Sequence, residues 1–170
     1  NKLIDMLNLR LPKNLSDEFG LDGVIPVDHR PVVFIGPYEH HSNELPWRES
    51  IADTVVIPLD STGQLDLVAL EDALMKYIDR PLRIGSFSAA SNVTGLKTDV
   101  PRVTSMLKRH GALSFWDYAA AAPYVRIDMN GHSPLDAVFI SPHKFIGGPG
   151  TPGVLVVKGR VVSNAVPVTV

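Results

Sequence analysis

The 170-residue sequence contains no cysteine, which excludes disulfides, thiolate metal sites, iron–sulfur clusters and cysteine nucleophiles within this chain. It also lacks a strong charge imbalance, because the formal net charge is only −2, and this argues against a protein that coats nucleic acid. No apolar run approaches the roughly 20 residues that span a bilayer, and no basic segment leads into an apolar signal-peptide core. We therefore expect a cytoplasmic globular protein without nucleic-acid or membrane partners.

Short β-branched runs alternate along the chain with longer amphipathic ones. The amphipathic runs predict helices over 1–9, 66–78 and 99–111, where Asp66 caps the second helix and Asp99 or Thr98 caps the third. The apolar runs predict strands over 31–35, 54–57, 82–87, 112–116, 137–140 and 153–158. The last strand is expected to be antiparallel, because only a short Gly/Pro turn precedes it. The polar stretch 14–30 is predicted to be a loop.

Strands that are separated by helices indicate βαβ units and a mostly parallel sheet. The strands at 32–35 and 137–140 are apolar at every position, which is typical of a sheet covered on both faces. The predicted fold class is therefore α/β, a three-layer αβα arrangement in a single domain.

Polar residues follow four of the predicted strands at the point where each strand ends. They occupy 39–43, 91–95, position 117 and 141–144. In open parallel sheets, ligands bind outside the carboxyl ends of the strands. The pattern therefore predicts one site that contains a lysine, an acid, an amide and at least two histidines.

Lys144 follows a buried strand and is a candidate for Schiff-base formation, because partial burial favours the neutral, nucleophilic amine. A lone lysine is more often a solvated surface residue, but Ser141 and His143 beside it are suitable donors to a phosphate. Together they favour pyridoxal phosphate over a bare carbonyl substrate. Asp117 either caps the Ala-rich segment after it or keeps a pyridine nitrogen protonated.

These residues resemble the class V aminotransferase family of pyridoxal-phosphate enzymes of fold type I, and within it the cysteine desulfurase / selenocysteine lyase branch. The family's blocks occur in family order over about 120 residues of this sequence. The matching blocks are EHHSNELPW at 39–47, SNVTG at 91–95, DYAAAAP at 117–123, SPHK at 141–144, GPG at 148–150 and PGVL at 152–155.

The resemblance implies two catalytic residues. Lys144 forms the Schiff base with the cofactor and later shuttles the α-proton of the substrate, whereas His40 stacks on the cofactor ring and assists proton transfer. His41 could equally support the residues that contact the cofactor or lie on the surface without a role in the site.

The resemblance also implies the residues that bind the cofactor and the substrate. Asp117 pairs with the pyridine nitrogen, Ser141 and His143 hold the phosphate, and Asn92 contacts the substrate carboxylate or lies beside the ring. The implied cofactor is pyridoxal 5'-phosphate, the implied substrate is an amino acid, and the implied assembly is a homodimer.

Two positions depart from the family's D-G-A-Q block. Ala120 replaces the glutamine that donates to the phenolic oxygen of the cofactor, and Tyr118 replaces the glycine, where its ring is expected to refill some of that space. The reaction therefore stays open between transamination, desulfuration and elimination, and a kynureninase-like hydrolase is a near relative within the same class.

The resemblance further implies that residues 1–170 are the central part of the cofactor-binding large domain. The Gly/Thr-rich phosphate loop would precede the first helix, and the small domain, with its substrate-binding arginine and sulfur-accepting cysteine, would lie outside this chain. We therefore expect little catalysis from this polypeptide alone.

Three alternatives remain open from the sequence. The first is a non-catalytic fragment or pseudoenzyme of the same fold, which Ala120 favours. The second is a nucleotide-binding module at the glycine-rich 147–153, although no G-K-[ST] follows it. The third is a metal-dependent hydrolase that would use His40, His41, His132 and His143 with Asp128 or Asp136, although their spacing matches no known ligand pattern.

Overall fold

The computed structural model describes residues 1–164, and the end of the apolar run 161–170 lies outside the described residues. The helices are α1 (Lys2–Met6), α2 (Lys13–Phe19), α3 (Leu21–Val24), α4 (His41–Arg48), α5 (Leu67–Lys76) and α6 (Val100–Arg109). The strands are β1 (Val32–Ile35), β2 (Asp53–Val56), β3 (Arg83–Ser88), β4 (Leu113–Asp117), β5 (Ala137–Ile140) and β6 (Val154–Val157). Short 3-10 turns occupy Val27–His29, Pro142–Lys144 and Gly159–Val161.

The strands form one sheet in the order β2-β1-β3-β4-β5-β6. The pairs from β2 through β5 are parallel, and β6 is antiparallel to β5. Both the mostly parallel sheet and the antiparallel last strand confirm the sequence predictions. Because β1, β3, β4 and β5 are parallel, their carboxyl ends lie at the same edge.

Helices cover both faces of this sheet. Alternate strand residues point to opposite sides, so Phe34 and Trp116 pack with α5 and α6, whereas Val33 and Phe115 pack with α1 and α4. On the second face, Trp47 of α4 stacks on Phe115 with ring centroids 6.1 Å apart. Three layers are therefore present, as predicted.

Side-chain caps begin the two longest helices where the sequence predicts them. The Asp66 carboxylate accepts the Val68 and Ala69 N–H groups at 2.9 and 3.0 Å. Asp99 accepts the Arg102 N–H at 3.1 Å. Of the two candidate caps for α6, Asp99 is therefore the one used, while the Thr98 hydroxyl donates to a strand carbonyl instead.

The sequence predictions were wrong in two places. The stretch 14–30 is not a loop throughout, since it contains α2 from Lys13 onward and α3. Helix α4 was missed because a proline lies inside it and only Asn43 and Trp47, four residues apart, are buried. Such a short, polar helix carries almost no amphipathic signal. Within residues 1–164, no helix combines the length and apolarity that crossing a bilayer requires.

Candidate active site

A cleft of about 240 Å³ opens at the carboxyl edge of the sheet. Every site residue that the sequence predicts lines this cleft, and the six are His40, Asn92, Asp117, Ser141, His143 and Lys144. Ser42, Ser88, Ala90, Ala119 and Ala120 line the rest of it. Side chains from four separate strand ends therefore share one cavity.

The 3-10 turn after β5 presents His143 and Lys144 to the cleft. The Lys144 N–H donates to the Ser141 carbonyl at 3.0 Å, which closes the turn. The following segment crosses directly over this turn at Gly148, where a Cβ atom would overlap the Pro142 carbonyl oxygen. Only glycine permits that crossing, so Gly148 helps to define where the lysine lies.

His40 is held by its position at the N-terminus of α4. Its Nδ1 accepts the Ser42 N–H at 3.2 Å and lies 2.8 Å from the Ser42 hydroxyl. In the neutral ring this leaves the proton on Nε2. His41 is exposed, and its ring centroid lies 6.2 Å from that of His40.

Asp117 ends β4 and is 7% exposed. Its Oδ1 accepts the Ala119 N–H at 2.7 Å, and Oδ2 receives no hydrogen bond from any described residue. Burial raises the pKa of this carboxyl group, while the Ala119 N–H and the nearby Lys144 and His40 oppose the rise. Asp117 thus caps the turn after β4 and still offers one oxygen to the cleft.

Glu39 belongs to the site's framework, although the residues next to it in the sequence do not indicate this role. Its partly buried carboxylate accepts the Gly36 N–H at 3.2 Å and the Asn43 side-chain N–H at 2.7 Å. It also accepts the Ser88 N–H at 3.0 Å and hydroxyl at 2.8 Å. Burial raises its pKa, and these donors oppose the rise. Glu39 therefore joins the ends of β1 and β3 to α4, through partners too distant in sequence to predict.

Tyr118 does not refill the space left by the missing glutamine, contrary to the sequence expectation. Successive strand-end residues point to opposite faces, so Tyr118 lies on the α6 side of the sheet and lines a different cleft with Lys97 and Pro101. Ala120 does line the active-site cleft. The contact that the family's glutamine makes is therefore not replaced by Tyr118.

The residues of the hydrolase hypothesis do not come together. His132 and Asp128 line the cleft on the α6 side, while Asp136 is buried with Lys108 and Arg160. Throughout residues 1–164, no group of three or more His, Asp or Glu side chains could hold a metal ion. The glycine-rich 147–153 forms the turn that leads into β6.

Comparison with known proteins identifies the class to which this fold and cleft belong. The family model for class V aminotransferases matches residues 23–170. The chain is 31% identical over 140 residues to the "Probable cysteine desulfurase" of Halalkalibacterium halodurans, covering 80% of this chain and 33% of the relative. It is 30% identical over 165 residues to "Probable cysteine desulfurase 2" of Mycobacterium leprae, covering 89% and 37%.

Solved structures agree with this match. The cysteine desulfurase CsdA of Escherichia coli superposes with a TM-score of 0.65 at 27% identity, covering 78% of this chain and 33% of CsdA. The Oryza sativa TDC solved with PLP and tryptamine shares the fold, with a TM-score of 0.70 at 21% identity over 96% of this chain and 37% of TDC.

The chain belongs to the class V aminotransferase family, and its curated relatives include cysteine desulfurases. Family membership implies pyridoxal 5'-phosphate as the cofactor. The chain spans about a third of the length of the first of these relatives.

Proposed function

We propose that this chain carries the cofactor cleft of a pyridoxal-phosphate enzyme of the cysteine desulfurase type, which acts on an amino acid, and that Lys144 bonds covalently to the cofactor. The observation that carries the proposal is the convergence of the six predicted side chains on one cleft. No other cleft described here combines a lysine, a histidine pair, an amide and a buried carboxylate.

The residues present fit this cofactor. Asp117 is buried with one oxygen unpartnered among residues 1–164, which suits the N–H of a protonated ring nitrogen. The side chains of Asn92, Ser141, His143 and Lys144 line the cleft and receive or donate no hydrogen bond within the described residues. When bound, the cofactor supplies an electron sink for the substrate's α-carbon.

Each side chain then has a role that follows from its chemistry. Asp117 would accept the ring N–H, and that positive charge would favour the carboxylate form against the effect of burial. The Ser141 hydroxyl and the His143 ring would donate to the phosphate. Lys144 Nζ, when neutral, would accept the substrate's α-proton. His40, fixed through Nδ1, would present its Nε2–H toward the ring.

We further propose that residues 1–170 form the central part of the large domain of a longer, homodimeric, cytoplasmic enzyme. The chain spans only about a third of the relatives' length, and this supports the part of the proposal that concerns a longer enzyme. Asn1 and Leu3 line a neighbouring cleft together with Asp117 and Ser141, so a phosphate-binding segment before α1 would enter the site from that side.

The test is made on the full-length protein loaded with pyridoxal phosphate. Borohydride reduction followed by peptide mass spectrometry should find the pyridoxyl group on Lys144. Lys144→Ala should abolish the visible absorption band, while Lys76→Ala, at an exposed position on α5, should leave it unchanged. An adduct on another lysine, or a colourless wild-type protein, would contradict the proposal.

A pseudoenzyme of the same fold is the second candidate, and Ala120 is the observation that favours it. Its methyl group lines the cleft where the family places an amide donor. Cofactor bound through Lys144, with no release of alanine, pyruvate or sulfide from cysteine in the presence of a thiol reductant and no pyruvate from alanine, would support this candidate. Recovery of turnover in Ala120→Gln would then identify the missing amide as the reason.

A further inference from the structure

Glu39 lies at the junction of three elements that carry the cofactor cleft. It follows the turn after β1, it directly precedes His40 and α4, and its partner Ser88 is the last residue of β3. Its carboxylate accepts the Ser88 N–H and hydroxyl at 3.0 and 2.8 Å, together with the Gly36 N–H and the Asn43 side-chain N–H. Glu39 therefore holds the chain in place at the residue next to His40.

The partners of Glu39 require an acceptor at both carboxylate oxygens. Oε1 faces the backbone N–H groups of Gly36 and Ser88, and Oε2 faces the side-chain N–H of Asn43. An N–H group can only donate, so a glutamine here would place its NH2 group against another N–H in either orientation. Asn43 cannot reverse its own amide without losing the hydrogen bond that its Oδ1 accepts from the Ser86 hydroxyl. The site is therefore specific for a carboxylate.

Ser88 connects Glu39 to the cofactor cleft. Ser88 lines that cleft, and its hydroxyl donates to Oε2 of Glu39. Its backbone N–H also goes to Glu39, while its carbonyl accepts the Thr98 hydroxyl at 2.8 Å. A hydroxyl group has one proton and two lone pairs. With the proton given to Glu39, Ser88 can meet a ligand in the cleft only as a hydrogen-bond acceptor.

We propose that Glu39 is a positioning residue of the cofactor cleft, which fixes the backbone from which His40 extends and keeps the Ser88 hydroxyl in the cleft as an acceptor. Glu39 is absent from the lining of the cleft itself, so it acts through these two neighbours. The inference rests on the proposed function, because it concerns the same cleft and the same cofactor.

The test uses the full-length protein loaded with pyridoxal phosphate and compares Glu39→Gln with Glu18→Gln. Glu18 is an exposed residue of α2 outside the cleft lining, so the same substitution there removes a charge and leaves the cleft as it is. Ser88→Ala removes one hydroxyl, and a double variant combines it with Glu39→Gln. For each protein we would measure the dissociation constant of the cofactor, the circular dichroism of its visible band and the borohydride adduct on Lys144.

We expect Glu39→Gln and Ser88→Ala each to weaken cofactor binding about three- to tenfold, as the loss of one hydrogen bond does, and to change the circular dichroism of the visible band. The double variant should bind the cofactor less weakly than the two single losses predict when added, because residues in one hydrogen-bond network are not additive. Glu18→Gln should match the wild type, and the adduct on Lys144 should form in every variant.

The result that overturns the inference alone is a normal Lys144 adduct with wild-type cofactor affinity and circular dichroism in Glu39→Gln, whatever happens to its free energy of unfolding. Glu39 would then only stabilise the fold. Additive losses in the double variant would also overturn it, since Glu39 would not act through Ser88. Should Glu39→Gln fail to fold, wild-type cofactor binding by Ser88→Ala has the same meaning. A wild-type protein without the Lys144 adduct would contradict the proposed function and this inference together.

Discussion

The two edges of the parallel sheet use polar residues in opposite ways. At the amino edge, Asp136 is fully buried just before β5, and it is ion-paired with Lys108 and Arg160 while it accepts the Ser114 N–H at 2.8 Å. At the carboxyl edge, Asp117 is almost as buried, but its carboxylate has a single hydrogen-bond partner among residues 1–164, the Ala119 N–H.

The pKa values of the two acids follow this difference. Burial alone would raise the pKa of Asp136, but the Lys108 hydrogen bond, the Ser114 N–H and Arg160 outweigh burial and lower it. Burial of Asp117 is not outweighed, and its pKa is raised. A buried carboxylate whose two oxygens both have partners within the protein stabilises the fold. A buried carboxylate with an oxygen that has no such partner can bind a ligand.

The largest expected effect is at the amino edge. Asp136→Ala removes the common partner of Lys108, Arg160 and the Ser114 N–H, so we expect the free energy of unfolding to fall by about 3–5 kcal/mol. Urea denaturation measures this change. Asp72→Ala, at an exposed position on α5, should cost less than about 0.5 kcal/mol. Similar losses in the two variants would contradict the structural role assigned to Asp136.

Gly148→Ala should have the next largest effect. Its Cβ would overlap the Pro142 carbonyl oxygen, which forces the turn carrying Lys144 to move. We expect a loss of about 1–3 kcal/mol in stability, together with weaker cofactor binding by the full-length protein.

Gly159→Ala is the matched control for this change, because nothing lies within 4 Å of the added methyl group. It should leave both the stability and the cofactor affinity unchanged. Wild-type cofactor affinity in Gly148→Ala would show that the turn does not depend on this crossing.

Asp117→Asn should separate stability from binding. Because the folded-state pKa of Asp117 is raised, the folded protein binds more protons than the unfolded chain between the two pKa values. Its contribution to stability is therefore present at low pH and is lost as pH rises through the folded-state pKa.

Asparagine does not titrate, so in the cofactor-free protein Asp117→Asn should show a smaller decrease in unfolding free energy between about pH 4 and about pH 8. The asparagine oxygen can still accept the Ala119 N–H, so the turn after β4 keeps its cap. The same variant should bind cofactor more weakly. Asp72→Asn is the control. If the unfolding free energy of Asp117→Asn varies with pH as it does in the wild type, burial does not raise the pKa of Asp117.

The smallest effect on stability is expected from Asn92→Ala. The side chain is exposed and makes no hydrogen bond to any described residue, so the cofactor-free protein should change by less than about 0.5 kcal/mol. Cofactor or substrate affinity should nevertheless fall. A loss of stability comparable to that of Asp136→Ala would mean that the carboxyl edge is also structural.

Much of the fold could be predicted from local patterns. Asp66 and the apolar spacing after it predict α5, and the all-apolar runs predict β1 and β5, because these signals depend on neighbours along the chain. Helix α4 could not be predicted, since its buried residues are held by distant partners. The side-chain Oδ1 of Asn43 accepts from the Ser86 hydroxyl at 2.7 Å, and the Trp47 indole N–H donates to the same hydroxyl at 3.2 Å.

By itself, the sequence determined the α/β class, the strand ends at which reactive side chains lie, and the family through its ordered blocks. Only the tertiary structure decided that Glu39 joins two strand ends and that Tyr118 turns away from the cofactor cleft. It also decided that both carboxylate oxygens of Asp136 have partners within the protein, whereas one oxygen of Asp117 has none among residues 1–164. The physical reason is that a buried acid finds hydrogen-bond partners only among the donors that the fold brings next to it, and these donors come from residues far apart in the chain.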